Sequence, residues 1–238
     1  FRNVTGTVAS SSITGMESTV IGTGATLSFS DNQTPGNVTV TNGGTLISLA
    51  GATLVNSGAL DISNGGTLGL RTGSLFDNSA GTVNNNAGGV IDAEIDLALA
   101  GTVNLNSGST LNSSAILTNQ IGRIQANSGA IVNQTGGTLL NLGTIDNQSG
   151  GSLTNQSGGS LLNIGTLSTQ AGATLTNEGT LNNNNTINNG GTFDNNDFLT
   201  NAVTIVNLGS GTLNNNSSLA NNGTLTNSAS GALNNSGI

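Results

Sequence analysis

The feature that most constrains this chain is the stride of its aliphatic residues. Ile131, Leu139, Ile145, Leu153, Leu161, Leu167, Leu175, Leu181, Ile187, Phe193, Leu199, Ile205, Leu213, Leu219, Leu225 and Leu233 follow one another at intervals of six or eight. Side chains of an extended chain alternate with a period of two, so even intervals put every one of these anchors on the same face. A helical period is absent, and glycine and β-branched residues abound, which argues against helix.

Each anchor sits in a short unit: a small residue, usually threonine, then the anchor, a variable residue, and asparagine, as in Thr144-Ile145-Asp146-Asn147. Leu167 departs from this, with Thr169 in the asparagine place. Long units carry an extra pair of small residues at the corner, as in Asn147-Gln148-Ser149-Gly150-Gly151-Ser152-Leu153. Asparagine and glycine tolerate left-handed backbone, so both are expected to mark bends. Strands of about three or four residues are too short for a meander of hairpins and suit the sides of a coil that winds and stacks on itself. The anchors span 102 residues in 15 intervals, a mean of 6.8 per side. Three sides make a rung of about 20 residues and two sides one of ~14. The reading taken forward is an all-β, parallel, three-sided β-solenoid of about 20 residues per rung. Asparagines at successive corners are expected to bond to one another as ladders.

Upstream, the repeat is recognisable from Thr45 with anchors at Leu46, Leu54, Leu60, Leu68, Leu75, Val83 and Ile91. The interval of seven before Leu75 implies a bulge or altered corner. Ile91 to Leu99 alternates most cleanly and predicts the longest flat strand. Residues 45–238 therefore read as one continuous solenoid. Residues 1–44 are less regular and hold Pro35 in a turn. They read as a cap, as a strand that pairs with a neighbouring molecule through Val38 and Val40, or as degenerate rungs.

Composition narrows the class further. At 34 % hydrophobic and 2 % aromatic residues the chain is too poor for a conventional globular core, and at 6 % charged it is unlike charged disorder. A solenoid needs only a few inward side chains per rung. The net charge of −8, with no lysine or histidine, offers nothing to phosphate and disfavours nucleic acid. Cysteine is absent, so neither disulfides nor thiolate metal sites are available. No apolar run approaches the ~20 residues that span a bilayer. The start at Phe1, without methionine or leader, reads as a processed or excised piece, and the acidic, lysine-free composition fits an exported surface protein.

The Gly-Thr-Leu-x-Asn style of units such as Gly143-Thr144-Ile145-Asp146-Asn147 and Gly223-Thr224-Leu225-Thr226-Asn227 resembles the β-helical repeats of bacterial surface adhesins, of the filamentous-haemagglutinin and autotransporter-passenger type. It covers most of residues 45–238. The resemblance implies a right-handed parallel β-helix, secreted or attached to the cell surface, used as a stalk or fibre. The chain departs from that style in its very high asparagine content.

Candidate chemistry is sparse. Asp92, Glu94 and Asp96 fall on one outward face if Ile91, Ala93 and Ile95 face inward. Three carboxylates form a candidate calcium site, calcium being a hard cation that takes oxygen ligands. They also resemble the acid clusters of β-helical polysaccharide-cleaving enzymes. Arg71 precedes Asp92 by 21 residues, about one rung, which places it alongside. The plainer reading is a solvated acidic face with a neighbouring salt bridge. Without histidine, cysteine, tyrosine, lysine or tryptophan, most nucleophile–base pairs are missing, and the chain is expected not to be an enzyme. Threonines before the anchors, such as Thr138, Thr144, Thr166 and Thr174, point outward in the manner of an ice-binding face, or serve simply as strand formers. Asn-x-Ser/Thr sequons are numerous, as chance supplies in such a composition.

The C-terminal Gly231 to Ile238 is still in repeat with no cap. A naked solenoid end templates another copy, which makes Leu225, Leu233 and Ile238 candidate self-assembly residues. The function expected is a structural subunit of an extracellular or cell-surface filament or matrix, assembling head-to-tail with itself. The alternatives are the stalk of a longer secreted adhesin, or an ice- or glycan-binding solenoid.

Overall fold

The computed structural model describes residues 2–4, 7–9, 13–99, 101–120 and 123–238. Among these there is no helix, and parallel strands stack in about 11 coils of about 20 residues each, a β-solenoid. The chain divides into two compact units, Phe1–Ser113 and Ser114–Ile238.

The second unit is the more regular. Three faces each stack six strands in parallel. The first face runs from Ile124–Asn127 to Thr224–Asn227, the second from Ala130–Asn133 to Ala232–Asn235, and the third from Ile116–Asn119 to Ser218–Asn221. Anchor sits over anchor in strict register, as in Leu139 beside Leu161, Leu167 beside Ile187, and Phe193 beside Leu213. Burial alternates along the strands as far as Thr212–Asn215, typically with the threonine half-exposed and the anchor buried, and the last three strands are more exposed. Each anchor excludes water through its neighbours above and below, a gain of roughly 1.5–3 kcal/mol per side chain that offsets the ordering of its unit.

The first unit is built the same way on two faces. One carries Arg2–Val4, Ser18–Ile21, Asn37–Val40, Ala59–Ile62, Thr82–Asn85 and Thr102–Leu105; the other runs from Thr7–Ala9 to Thr110–Ser113. Its third side is shorter, with Thr53–Val55 beside Leu75–Asp77 and a bridge from Gln33 to Leu54. Of the stretch 1–44, residues 1, 5, 6 and 10–12 lie outside the described ones, and Ser18–Ile21, Thr26–Phe29 and Asn37–Val40 are regular parallel strands.

Three expectations are corrected. Leu75 is not an anchor: it is 65 % exposed, and Phe76 pairs with Leu54 instead. A shift of one residue sends a side chain to the opposite face, so the even stride from Leu68 continues to Phe76 and the odd interval falls at the next corner. Ile91 to Leu99 is not one long strand but two, Val90–Ala93 and Leu97–Leu99, separated at Glu94–Asp96. The inward-outward alternation runs on through that bend, which is why the sequence could not reveal the corner. Lastly, the unit asparagines are not the left-handed residues. Among the described non-glycine residues positive φ occurs at Thr23, Asn42 and Asn64, none of which follows an anchor by two. From Asn119 to Asn215 the unit asparagines close their strands with side chains inward and buried.

Candidate functional site

Because most strands of the second unit end on a buried asparagine, the amides stack into columns along each face. Their bonds share one direction. Asn163 Nδ2 donates to Asn183 Oδ1 at 2.8 Å, and Asn183 Nδ2 donates to Asn201 Oδ1 at 2.7 Å. On the second face Asn155 donates to Asn177 and Asn177 to Asn195, each at 2.8 Å. The second amide hydrogen goes to the carbonyl that opens the strand after the accepting asparagine, one coil on, as from Asn183 to Thr204 O at 2.8 Å. That carbonyl can only accept, so it fixes which end of the amide is nitrogen and thereby the polarity of the whole column. Aligned amides of this kind polarise one another, and burial raises the cost of an unpaired member.

The polarity accounts for the oxygens left without a donor. Asn119 and Asn133 are the first members of their columns in this unit, and Asn189 follows Thr169; the Oδ1 of each is unpartnered. Outward asparagines form ladders of the opposite sense. Asn214 Nδ2 donates back to Asp194 at 2.6 Å and Asn234 Nδ2 to Asn214 at 2.7 Å. In the first unit Asn104 donates to Asn84 at 2.8 Å and Asn84 to Asp61 at 2.7 Å. Both outward ladders rest on an aspartate, which has no proton to give and therefore sets the direction. The sequence signalled the columns through the anchor-plus-two asparagines, but not their direction.

The candidate assembly residues divide. Val38 and Val40 are buried, at 2 % and 0 % exposure, in a strand flanked on both sides by Ser18–Ile21 and Ala59–Ile62. They are core, with no open edge to offer. Leu225, Leu233 and Ile238 come together in the second unit with Asn215, Leu219 and Asn235 around a depression of about 160 Å³. Leu233 is 41 % and Ile238 90 % exposed. Ile238 N donates to Ser217 O and its carbonyl accepts from Leu219 N, both at 2.7 Å, so Ile238 takes the first ladder position above the strand Ser218–Asn221.

The acidic cluster is held by arginine. Arg71 Nη1 lies 2.7 Å from Asp92 Oδ2 and 2.9 Å from Glu94 Oε1. The register sets Asp92 beside Gly69, and the guanidinium lies over that glycine, where a Cβ would be 3.0 Å from Nη2. The hydrogen bond to Asp92 raises the Arg71 pKa above its ordinary value, against a smaller lowering by burial. Asp96 is exposed. Among the described residues no group of three histidine, cysteine, aspartate or glutamate side chains comes together to hold a metal. Arg71→Ala is expected to cost the first unit less than ~1 kcal/mol and to cost nothing in concentrated salt, because the pair is only partly buried; urea titrations at two ionic strengths measure it. The noted threonines divide among the faces, Thr144 and Thr166 stacking on the first while Thr174 lies on the second and Thr138 on the third.

Coil-on-coil parallel strands with ladders of inward asparagine define a parallel β-solenoid built for stacking. No family model matches the chain, and no curated protein matches it. Among solved structures it is similar to the crystal structure of a TibC-catalysed hyper-glycosylated TibA55-350 fragment, with 21 % identity and a TM-score of 0.35 over 98 % of this chain and 88 % of that one. That superposition is too loose to carry function from one to the other.

Proposed function

We propose that the chain is a structural element of a secreted or cell-surface assembly, a filament subunit that stacks head-to-tail on copies of itself. Its work is length and stiffness, and no catalytic step belongs to it. One observation supports the reading above all: coil after coil of the second unit hands the next its buried amide donors in the same direction, Thr169 being the interruption on the first face. A stack with this polarity grows in one sense only, since donors of one coil meet only the acceptor side of another. Two like sides brought together would oppose donor to donor or acceptor to acceptor. Exposed Leu233 and Ile238 add apolar area at the place where a further coil would lie.

The same surface would equally receive a further coil of the same polypeptide, which is the adhesin-stalk version, with surface glycans as ligands of a part elsewhere. Sedimentation and negative-stain electron microscopy over a wide concentration range separate the two. The filament reading expects end-to-end growth without lateral bundling. Particles that stay monomeric at the highest concentration reached overturn it in favour of the stalk.

A further inference from the structure

The inner column of the first face in the second unit runs Asn127, Asn147, Thr169, Asn189, Asn207, Asn227. Thr169 interrupts it, and the interruption leaves two buried oxygens unpaired, Thr169 Oγ1 and Asn189 Oδ1, on residues only 2 % and 0 % exposed. This seam between coils is therefore missing a bond that its neighbours have. Asn189 is also followed by Gly190. An asparagine before glycine is the pair most prone to cyclise, because no side chain shields the following backbone nitrogen.

We propose that Asn189 is a modification site, deamidated when its coil separates from its neighbours, the under-bonded seam toward Thr169 opening first, and that the product keeps the seam toward Asn207 from closing. In the closed coil the reaction is blocked twice. The attacking nitrogen, Gly190 N, is engaged with Thr169 O at 2.6 Å. The departing nitrogen, Asn189 Nδ2, is held by Asn207 Oδ1 at 2.8 Å and Thr212 O at 2.9 Å. Opening toward Thr169 frees Gly190 N, and separation from the next coil, which carries Asn207 and Thr212, frees Asn189 Nδ2. Gly190 N, giving its proton to solvent base, bonds to Asn189 Cγ. The bond from Cγ to Nδ2 breaks, and the nitrogen takes up a proton and leaves as ammonia. Water then opens the succinimide at either carbonyl, leaving aspartate or isoaspartate at 189. A carboxylate there has no proton for Asn207 Oδ1 or Thr212 O, so three acceptors confront one another in a buried place. Isoaspartate further lengthens the backbone by one carbon and disturbs the register.

The test is peptide mass spectrometry of the full chain aged at mildly alkaline pH, in buffer and in unfolding urea. Asn222-Gly223, exposed in the same unit, is the internal control. In buffer Asn189 is expected to react ~10-fold or more slowly than Asn222, and at a similar rate in urea, because reaction through an opened state scales with its population. Thr169→Asn restores the missing amide and is expected to slow Asn189 by a further ~10-fold with Asn222 unchanged. Gly190→Ala, whose new Cβ would meet Thr169 O at 3.3 Å as its nearest neighbour, is expected to keep the fold by circular dichroism and to suppress the reaction. Reaction of Asn189 in buffer as fast as Asn222, or rates unmoved by either substitution, overturns the proposal.

Discussion

Asn183→Ala is expected to destabilise the second unit by about 4 kcal/mol, since each buried polar group left unpaired costs roughly 1–3 kcal/mol. Three such groups are created at once. Asn201 Oδ1 and Thr204 O lose their donor, and Asn163 Nδ2 loses its acceptor. All three asparagines have 0 % exposure, so bulk water cannot substitute without opening the coil. Coils contact only their neighbours, and the loss should therefore be local. Hydrogen exchange is expected to accelerate in Ser160–Asn163, Thr180–Asn183 and Phe198–Asn201 and to be nearly unchanged at Ala130–Asn133; uniform acceleration would contradict the nearest-neighbour account. Asn183→Asp adds a test by pH. An aspartate titrates near ~3.9 when unfolded. Buried and facing acceptors, its folded pKa would be raised. The sign follows: the protonated acid can donate one of the lost bonds, so the defect is smallest below the unfolded pKa. It grows as pH rises toward the folded value and is constant above it. A defect that shrank with rising pH would show that the side chain does not face acceptors.

This column was half legible in sequence. The even stride of the anchors requires a wound coil because odd slips reverse faces, and where an aliphatic residue is missing the stride persists. Gln125 occupies an anchor place, in register with Ile145, eight after Leu117. Phe76 was hidden because Leu75 beside it is equally apolar, and only the pairing with Leu54 decides between them. The spacing of Arg71 from Asp92 read correctly because one coil of about 20 residues returns the chain to the same lateral position. Val38 and Val40 could be placed on a strand from composition but not inside a stack, since burial of a strand edge depends on the coils on either side. Ladder direction was not legible at all. Asparagine carries donor and acceptor alike, and the choice between them is made by a backbone carbonyl more than 20 residues away, such as Thr204 O for Asn183.

The same one-coil distance explains why two glycines at similar corners should respond differently to alanine. Gly150 lies at φ 82°, and a Cβ there would meet nothing within 4 Å. Its requirement is conformational alone, and Gly150→Ala is expected to cost about 1–2 kcal/mol. Gly165 has no left-handed backbone to protect, but its Cβ would run into the carbonyl of Gly143 and lie 2.9 Å from Leu142 C, backbone atoms one coil away. Those atoms cannot swing aside as a flexible side chain would. Gly165 N also donates to Asn141 O at 2.9 Å, and Thr166 N to Gly143 O at 2.8 Å, so separating the corners strains the first rungs of a ladder. Gly165→Ala is expected to cost about 3 kcal/mol or more, as overpacking against an unyielding neighbour does. Urea midpoints of the two variants, with exchange rates at Thr144–Asn147 and Thr166–Thr169, measure the difference. Equal losses would mean that the corners are spaced by turn conformation, and the larger loss at Gly165 that they are spaced by contact between coils.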